Sequence, residues 1–134
     1  MTVKLTTEGV RAVGVFERLI GVHVRDCLME EDCLYFLIEP NKMGMAIGKN
    51  GSKIKNLCKA FGKKVKIFEY SDNLEGMLRN FVPSMKIIEI SNDVVSISVP
   101  VSERSTVIGK NGRNIKIIRE FLKRHFKLKN LRLR

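Results

Sequence analysis

Apolar residues near the start of the chain recur every three or four positions, with charged residues between them. This spacing predicts an amphipathic helix that Thr6 or Thr7 caps and that ends at Gly21. The residues predicted to form its apolar face are Val10, Val13, Phe16 and Ile20. We therefore expect this helix to pack one face against the elements that follow it.

The hydrophobic spacing then becomes that of strands. Residues 22–29 and 34–38 are rich in β-branched, aliphatic and aromatic side chains and flank a short acidic turn, which predicts a hairpin. A short helix over 43–47, a glycine loop and a longer amphipathic helix follow, and residues 65–68 predict a third strand. The apolar face of the longer helix consists of Ile54, Leu57, Cys58 and Phe61.

The second half of the chain repeats this order of elements. A helix with residues 71–73 as its cap region, and with Asp72 and Glu75 at capping-box spacing, precedes a predicted hairpin over 85–91 and 94–99. A second glycine loop, a helix and a last strand complete the repeat. The apolar positions expected in its helices and last strand are Leu74, Met77, Leu78, Phe81, Ile115, Ile118, Leu122, Phe126, Leu128, Leu131 and Leu133.

A nine-residue motif occupies the same place in both halves. It reads Ile-Gly-Lys-Asn-Gly-Ser-Lys-Ile-Lys over 47–55 and Ile-Gly-Lys-Asn-Gly-Arg-Asn-Ile-Lys over 108–116, an offset of 61 residues. The repeat predicts a tandem duplication of one small α+β domain, with domains at 1–70 and 71–134. Because each domain is small for a single core, we expect the pair to pack as a rigid tandem joined by residues 70–73.

The glycine loops have the composition of a phosphate-binding turn. Two glycines around Lys-Asn leave the backbone open to close approach, and the helix that follows points free amide groups toward it. A hairpin turn would be followed by alternating rather than helical spacing. A nucleotide-binding P-loop needs four residues between its glycines, whereas Gly44 and Gly48 enclose three. The loops are therefore interpreted as contacts for a sugar-phosphate backbone.

Charge is segregated in a way that favours a polyanionic partner. The chain carries 25 Lys and Arg against 14 Asp and Glu, a net charge of +11. Residues 42–66 hold eight basic residues and no acidic one, and residues 109–134 hold ten basic residues and the single acid Glu120. A solvated helix face would mix both signs, so these basic fields are interpreted as nucleic-acid-binding surface.

Other kinds of chemistry find little support in the sequence. Cys27, Cys33 and Cys58 lack Cys-x-x-Cys spacing, so we expect free thiols rather than a disulfide scaffold or a zinc site. His23 and His125 have no acidic or thiol partner at ligand spacing, and no paired acids lie near the loops. We expect neither an enzyme nor a metal or cofactor. Without an apolar stretch of about twenty residues or a signal-peptide core, we expect a cytoplasmic protein with no membrane span.

The motif Ile-Gly-Lys-Asn-Gly-x-x-Ile-Lys after a pair of strands resembles that of the KH nucleic-acid-binding domain, whose Gly-x-x-Gly loop clamps about four nucleotides. Two strands before the loop and one after it resemble the prokaryotic, type II order. The resemblance implies two tandem type II KH domains, each a three-stranded sheet with helices on one face. Over its whole length the chain is similar to the archaeal NusA-like family of proposed transcription termination or elongation factors.

The resemblance implies a monomeric protein that binds single-stranded RNA and acts in transcription termination or antitermination. RNA polymerase or other transcription factors are further candidate partners, although the polymerase-binding and S1 domains of bacterial NusA have no counterpart in these residues. A ribosome-associated or ribosome-assembly KH protein is the alternative, because its charge and loops would look the same. Co-purification with RNA polymerase or with ribosomal subunits separates the two.

The resemblance also implies which residues meet the RNA. Those expected to contact sugar-phosphate are Gly48, Lys49, Asn50, Gly51, Lys53, Lys55, Gly109, Lys110, Asn111, Gly112, Arg113 and Lys116. An apolar groove beside each loop could take unpaired bases. Its candidate residues, each of which would fit equally well in the core, are Ile47, Ile54, Ile108 and Ile115. Because the chain has few aromatic residues and no tryptophan, we expect base stacking to contribute little to RNA binding.

Overall fold

The computed structural model of the chain describes residues 7–134. Thr6, one of the two predicted cap residues of the first helix, lies outside this range. The chain divides between Asp72 and Asn73 into two units, each with its own set of internal contacts. The predicted domain boundary between residues 70 and 71 stays a prediction.

Within residues 7–72, the first unit contains three α-helices and a three-stranded sheet. Its elements in chain order are α1 (Thr7–Ile20), β1 (Val24–Met29), β2 (Cys33–Ile38), α2 (Met43–Ile47), α3 (Ser52–Phe61) and β3 (Lys64–Glu69). A single turn of 3₁₀ helix over Lys49–Gly51 joins α2 to α3. Strand β2 lies in the middle of the sheet, antiparallel to β1 and parallel to β3.

The second unit repeats this order. Its elements are α4 (Leu74–Phe81), β4 (Lys86–Ser91), β5 (Val94–Ser98), α5 (Val101–Ile108), α6 (Arg113–Phe126) and β6 (Asn130–Leu133). A 3₁₀ turn over Lys110–Gly112 joins α5 to α6. Strand β5 is antiparallel to β4 and parallel to β6. The predicted α+β content, with three-stranded sheets, is therefore confirmed.

The core of the first unit forms where α1 and α3 cover one face of the sheet. Alternate residues of β2, including Phe36, join a cluster of buried side chains with Phe16 of α1 and Leu57 of α3. The rings of Phe16 and Phe36 lie 4.5 Å apart between centroids, and Phe61 of α3 lies 5.9 Å from Phe36. Tilted aromatic pairs at such distances add to the stabilisation from buried area. This packing fixes the orientation of α3, which begins at the glycine loop.

One predicted core position of α1 is wrong. Val10 is 58% exposed, and Gly9 and Ala12 lie in the core instead, together with Phe16 and Ile20. Val10 lies six residues before Phe16, two of the predicted three-residue steps. Because an α-helix has 3.6 residues per turn, Val10 points about 120° around the helix axis from Phe16. The buried face continues backward from Phe16 through Ala12, a small residue that contributes little to a hydrophobic pattern.

The second unit departs from prediction at the ends of its helices. The Asn73 side chain caps α4 by accepting a hydrogen bond from the Gly76 backbone N–H at 3.0 Å. The cap thus lies within the predicted region 71–73, whereas the predicted capping box of Asp72 and Glu75 is wrong. Glu75 instead pairs with Arg79 at 3.2 Å. In α6, Ile117 and Phe121 are buried in addition to the predicted Ile115, Ile118 and Leu122, whereas Phe126 is half-buried. The α6 core face is therefore wider than the sequence pattern indicates.

Candidate nucleic-acid interface

The two glycine loops have the same backbone conformation. Gly48 has φ 75° and ψ 176°, and Gly109 has φ 79° and ψ 169°. The asparagines that follow, Asn50 and Asn111, are both in the left-handed region, with φ 56° and 58°. Such agreement between two loops that share the motif Ile-Gly-Lys-Asn-Gly-x-x-Ile-Lys indicates that this motif determines the turn.

Glycine is required at the first position of each loop by both backbone angle and space. A positive φ with ψ near 180° belongs to a region that is populated almost only by glycine. A Cβ atom on Gly48 would lie 2.8 Å from Cγ of Lys53, and one on Gly109 would lie 2.7 Å from Cβ of Asn114. The loop backbone is thus held close against the first turn of the next helix.

No side chain of the described residues caps the start of α3 or α6. Their N-cap residues are Gly51 and Gly112, which have no side chain to accept a hydrogen bond from the first turn. Of the other helices, α4 is capped by Asn73, whereas α2 and α5 also begin without a side-chain cap hydrogen bond. The first-turn N–H groups of a helix carry partial positive charge and bind anions when no side chain occupies them.

The charges of the first turns separate α3 and α6 from α1, α4 and α5. Helices α1, α4 and α5 each have an acidic residue in the first turn, namely Glu8, Glu75 and Glu103. Helices α3 and α6 have none there. Their first turns carry basic residues, which are Lys53, Lys55, Arg113 and Lys116. A cation at this end of a helix is unfavourable by about 0.3–1 kcal/mol, and a bound anion would remove that cost.

The structure places the predicted backbone-contacting side chains around each loop. Lys49 and Asn50 are exposed at the first loop, as are Lys110 and Asn111 at the second. Of the basic residues in the following turns, Lys55 and Lys116 are exposed, and Lys53 and Arg113 are half-buried. Each loop therefore presents cations and amide groups to solvent.

Asn114 is a loop residue whose role the sequence analysis missed. Its side-chain N–H donates to the Val107 carbonyl at 3.0 Å, so it ties the start of α6 to the end of α5 across the second loop. Lys53 stands at the equivalent position of the first loop, where that side chain adds charge instead. The difference is visible in the motif, which reads Ser-Lys in the first copy and Arg-Asn in the second.

The four isoleucines proposed for a base groove have different environments. Ile47 is 37% exposed, whereas Ile115 is 5% exposed and belongs to the buried face of α6. Ile54 is half-buried and packs against the first core, and Ile108 is half-buried. Ile115 is therefore a core residue, and Ile47 is the side chain of this set most available to a ligand.

The structure also shows the surroundings of the histidines and cysteines. His23 has an acidic partner that sequence spacing did not indicate, because its Nδ1 lies 2.9 Å from a carboxylate oxygen of Glu17 at the end of α1. The cysteines are free, with Cys27 and Cys33 buried and Cys58 half-buried. Within residues 7–134, no group of three or more His, Cys, Asp or Glu side chains could hold a metal ion. No helix in that range is both long and apolar enough to cross a membrane.

Comparison with known families supports the class of protein that the fold and loops indicate. Residues 13–99 match the KH domain family. This stretch contains the first glycine loop and ends just after β5, so the second loop lies beyond it. The identification of the second loop depends on the internal repeat and on its matching geometry.

Individual similar proteins identify the family of this chain more narrowly. A Methanocaldococcus jannaschii protein named probable transcription termination protein NusA is 33% identical over 98% of this chain and 75% of its own length. A protein of the same name from Halobacterium salinarum is 28% identical over 99% of both chains. The crystal structure of APE1850 matches with a TM-score of 0.79 and 33% identity, covering 97% of this chain and 100% of that chain. The chain belongs to the archaeal NusA-like KH proteins.

Proposed function

We propose that this protein binds single-stranded RNA and acts as a transcription termination or antitermination factor of the NusA type. In this proposal it consists of two tandem type II KH domains at residues 1–70 and 71–134. The observation that carries it is the pair of identically folded loops, each followed by an uncapped helix with basic residues in its first turn. The names of the archaeal relatives supply the transcriptional context.

The proposed contact is a clamp on the RNA backbone. A phosphate approaches each loop at its second glycine, Gly51 or Gly112, where a Cβ would meet no heavy atom closer than 3.7 Å, and faces the positive end of the next helix. Lys49 and Lys110 add charge from the loop tips, and Lys55 and Lys116 add charge from the following helices. Phosphate contacts of this kind give affinity and position, while base contacts give sequence preference.

Binding rather than catalysis is the proposed activity. The loops combine glycine, lysine and asparagine, none of which forms a nucleophile and base pair there. RNA needs no chemical step to be held by a backbone clamp. The proposed partners are therefore single-stranded RNA and the transcription machinery that produces it, with RNA polymerase as the candidate protein partner.

The direct test changes both loop tips to acidic residues. We expect the combined substitutions K49D, N50D, K110D and N111D to preserve the fold, because all four side chains are exposed, and to abolish measurable RNA binding in a gel-shift titration. The matched control is K86D with N92D. Asn92 is also exposed and has φ 51°, close to the 56° of Asn50. The control therefore matches in type and number the changes at one loop, K49D with N50D, and that two-substitution variant is titrated beside it.

The outcome separates loop contacts from overall charge. Lost binding in the loop variant with retained binding in the control supports the clamp. Equal affinity of the loop variant and the unchanged chain would refute it. Co-purification of the intact protein with RNA polymerase supports the transcriptional role, whereas cosedimentation with ribosomal subunits alone would assign the protein to the ribosome.

A further inference from the structure

Strand β4 exposes two large apolar side chains in the second unit. Ile88 is 48% exposed and Ile90 is 55% exposed. Ile90 lies opposite Val95 of β5, which is completely buried, and Ile88 precedes it where the register of the strand pair shifts. Apolar surface of this kind is stabilised when a partner removes it from water. We call Ile88 and Ile90 the β4 apolar patch.

The first unit covers the equivalent position with a helix. Met29 stands 61 residues before Ile90 (90 minus 29), which is the offset of the repeated motif, and it pairs with Leu34 as Ile90 pairs with Val95. Met29 is half-buried and packs against the first core. The residues of α1 that line a cleft together with Met29 are Glu8, Arg11, Ala12 and Val15.

The second unit lacks this part of the helix. Helices α1 and α4 end at equivalent positions of the repeat, 61 residues apart (81 minus 20), but α1 has 14 residues and α4 has eight. Residues 7–12 of α1 correspond to residues 68–73, which finish β3 and connect it to α4 without forming a helix. Val15 corresponds to Gly76, which has no side chain. The second unit therefore has no helical wall beside the exposed Ile90.

The chain next to the β4 apolar patch is basic. Residues 121–134 contain six Lys and Arg and no acidic residue. Lys127 and Lys129 are exposed. The Lys129 backbone N–H donates to the Asp93 carbonyl at 2.7 Å, so this segment lies beside the tip of the β4–β5 hairpin. A ligand that covers the patch therefore meets positive charge at this end of the second unit.

We propose that the β4 apolar patch binds an amphipathic helix of a partner protein, with acidic residues beside its apolar face. This helix takes the place that the first turns of α1 occupy in the first unit, where Glu8 lines the same cleft as Lys63. Its apolar side chains cover the two isoleucines, and its acidic residues face Lys127 and Lys129. A helix is favoured over a strand because the fold already uses a helix at the equivalent position of the repeat.

This inference is independent of the proposed function of the loops as RNA clamps. Helix α6 has 14 residues and is therefore about 21 Å long, at 1.5 Å per residue. The second glycine loop adjoins the first residue of α6, and Lys127 follows its last residue. The proposed partner and the RNA thus meet opposite ends of this helix, so one does not occupy the place of the other.

Three labelled peptides with the apolar side chains of α1 test the proposal on the full chain by fluorescence anisotropy. Each has the sequence of residues 7–20 with a few substitutions. The substitutions are Arg11→Glu with Arg18→Glu for the acidic probe and Glu8→Lys with Glu17→Lys for the basic probe. The third peptide is the acidic probe with Gly14→Pro, which breaks the helix and retains every apolar side chain. We expect the acidic probe to bind about tenfold more tightly than either of the others.

Variants of the protein locate the binding surface. We expect Ile88→Thr with Ile90→Thr to weaken binding of the acidic probe about tenfold, because a hydroxyl replaces hydrocarbon that the helix buries. Threonine is β-branched like isoleucine and suits the strand, so the fold should be retained. Lys127→Glu with Lys129→Glu should weaken the acidic probe by a similar factor and strengthen the basic probe. Circular dichroism melting confirms that each variant is folded.

The matched control is Val10→Thr with Leu19→Thr, which changes two apolar residues of α1 that are 58% and 48% exposed and should leave binding unchanged. An equal loss in this control, equal binding of the proline peptide, or no saturable binding of the acidic probe overturns the proposed helix site. So does a dimer of the unchanged chain, seen by sedimentation and lost in the Ile88 and Ile90 variant, because a second copy then covers the patch. RNA affinity of that variant should equal that of the unchanged chain, so failure of this inference leaves the RNA clamp standing.

Discussion

Alanine in place of Gly109 is expected to destabilise the protein much more than alanine in place of Gly112, three residues further along the same loop. Gly109 combines φ 79° with ψ 169°, a conformation populated almost only by glycine. Gly112 has φ 71° and ψ 14°, which is the ordinary left-handed region. The two substitutions therefore add the same methyl group, but the backbone conformation at Gly112 tolerates a side chain better than the conformation at Gly109.

Space adds to the difference in backbone strain. A Cβ on Gly109 would stand 2.7 Å from Cβ of Asn114 and 2.8 Å from its backbone nitrogen, so the start of α6 would have to move. A Cβ on Gly112 would have no heavy atom within 4 Å. We expect Gly109→Ala to lower the free energy of unfolding by about 3 kcal/mol. Gly112→Ala should lower it by about 1 kcal/mol, because reduced freedom of the unfolded chain offsets part of the strain.

Thermal unfolding followed by circular dichroism measures this difference. For a domain of this size, each 1 kcal/mol corresponds to roughly 4–8 °C in Tm, so the two variants should differ by roughly 8–16 °C. Gly14→Ala is the control, because Gly14 is an exposed residue of α1 with open space around it and should tolerate the methyl group. Equal Tm values for Gly109→Ala and Gly112→Ala would refute the described loop geometry.

Two further predictions concern the RNA. Single-stranded RNA should compete for the protein far better than duplex RNA of the same length, because unpaired bases can turn away from a clamped backbone and stacked pairs cannot; equal competition in a gel shift would contradict this. An RNA long enough for both loops should bind on the order of a hundredfold more tightly than a four-nucleotide RNA, since the second contact becomes intramolecular. Acidic substitution of one loop should remove most of that gain. Affinity that stops rising with length once one clamp is filled would show that the two domains act independently.

The order of elements could be predicted from the sequence because it depends on periodicity and on strong turn signals. The change from helical to strand spacing located both hairpins, and the nine-residue repeat located both loops. Predictions failed where neighbouring residues had equivalent chemistry. Asp72 and Asn73 can both cap a helix, and only the backbone geometry selects Asn73.

For the candidate site, the sequence predicted which residue types form the loops but not the contacts that those residues make. Lysine and glycine at the loops followed from the motif, whereas the Asn114 contact with the Val107 carbonyl depends on how α5 and α6 meet. The pair of His23 and Glu17 was missed for a similar reason, since it forms between the end of one element and the start of the next. Whether an isoleucine faces a groove or the core likewise depends on packing, as the burial of Ile115 illustrates.

The parallel pairing of the last strand in each sheet has a consequence for how the protein is made. Strand β3 pairs with β2 through residues as far apart as Cys33 and Lys64, and the glycine loop and α3 lie in the crossover between them. A growing polypeptide therefore exposes the Gly-Lys-Asn-Gly segment before the strand that completes its sheet has been synthesised. Long-range parallel pairing of this kind forms slowly compared with a hairpin. The Gly-Lys-Asn-Gly turn of each unit thus reaches its final packing late, once translation has passed well beyond the motif itself.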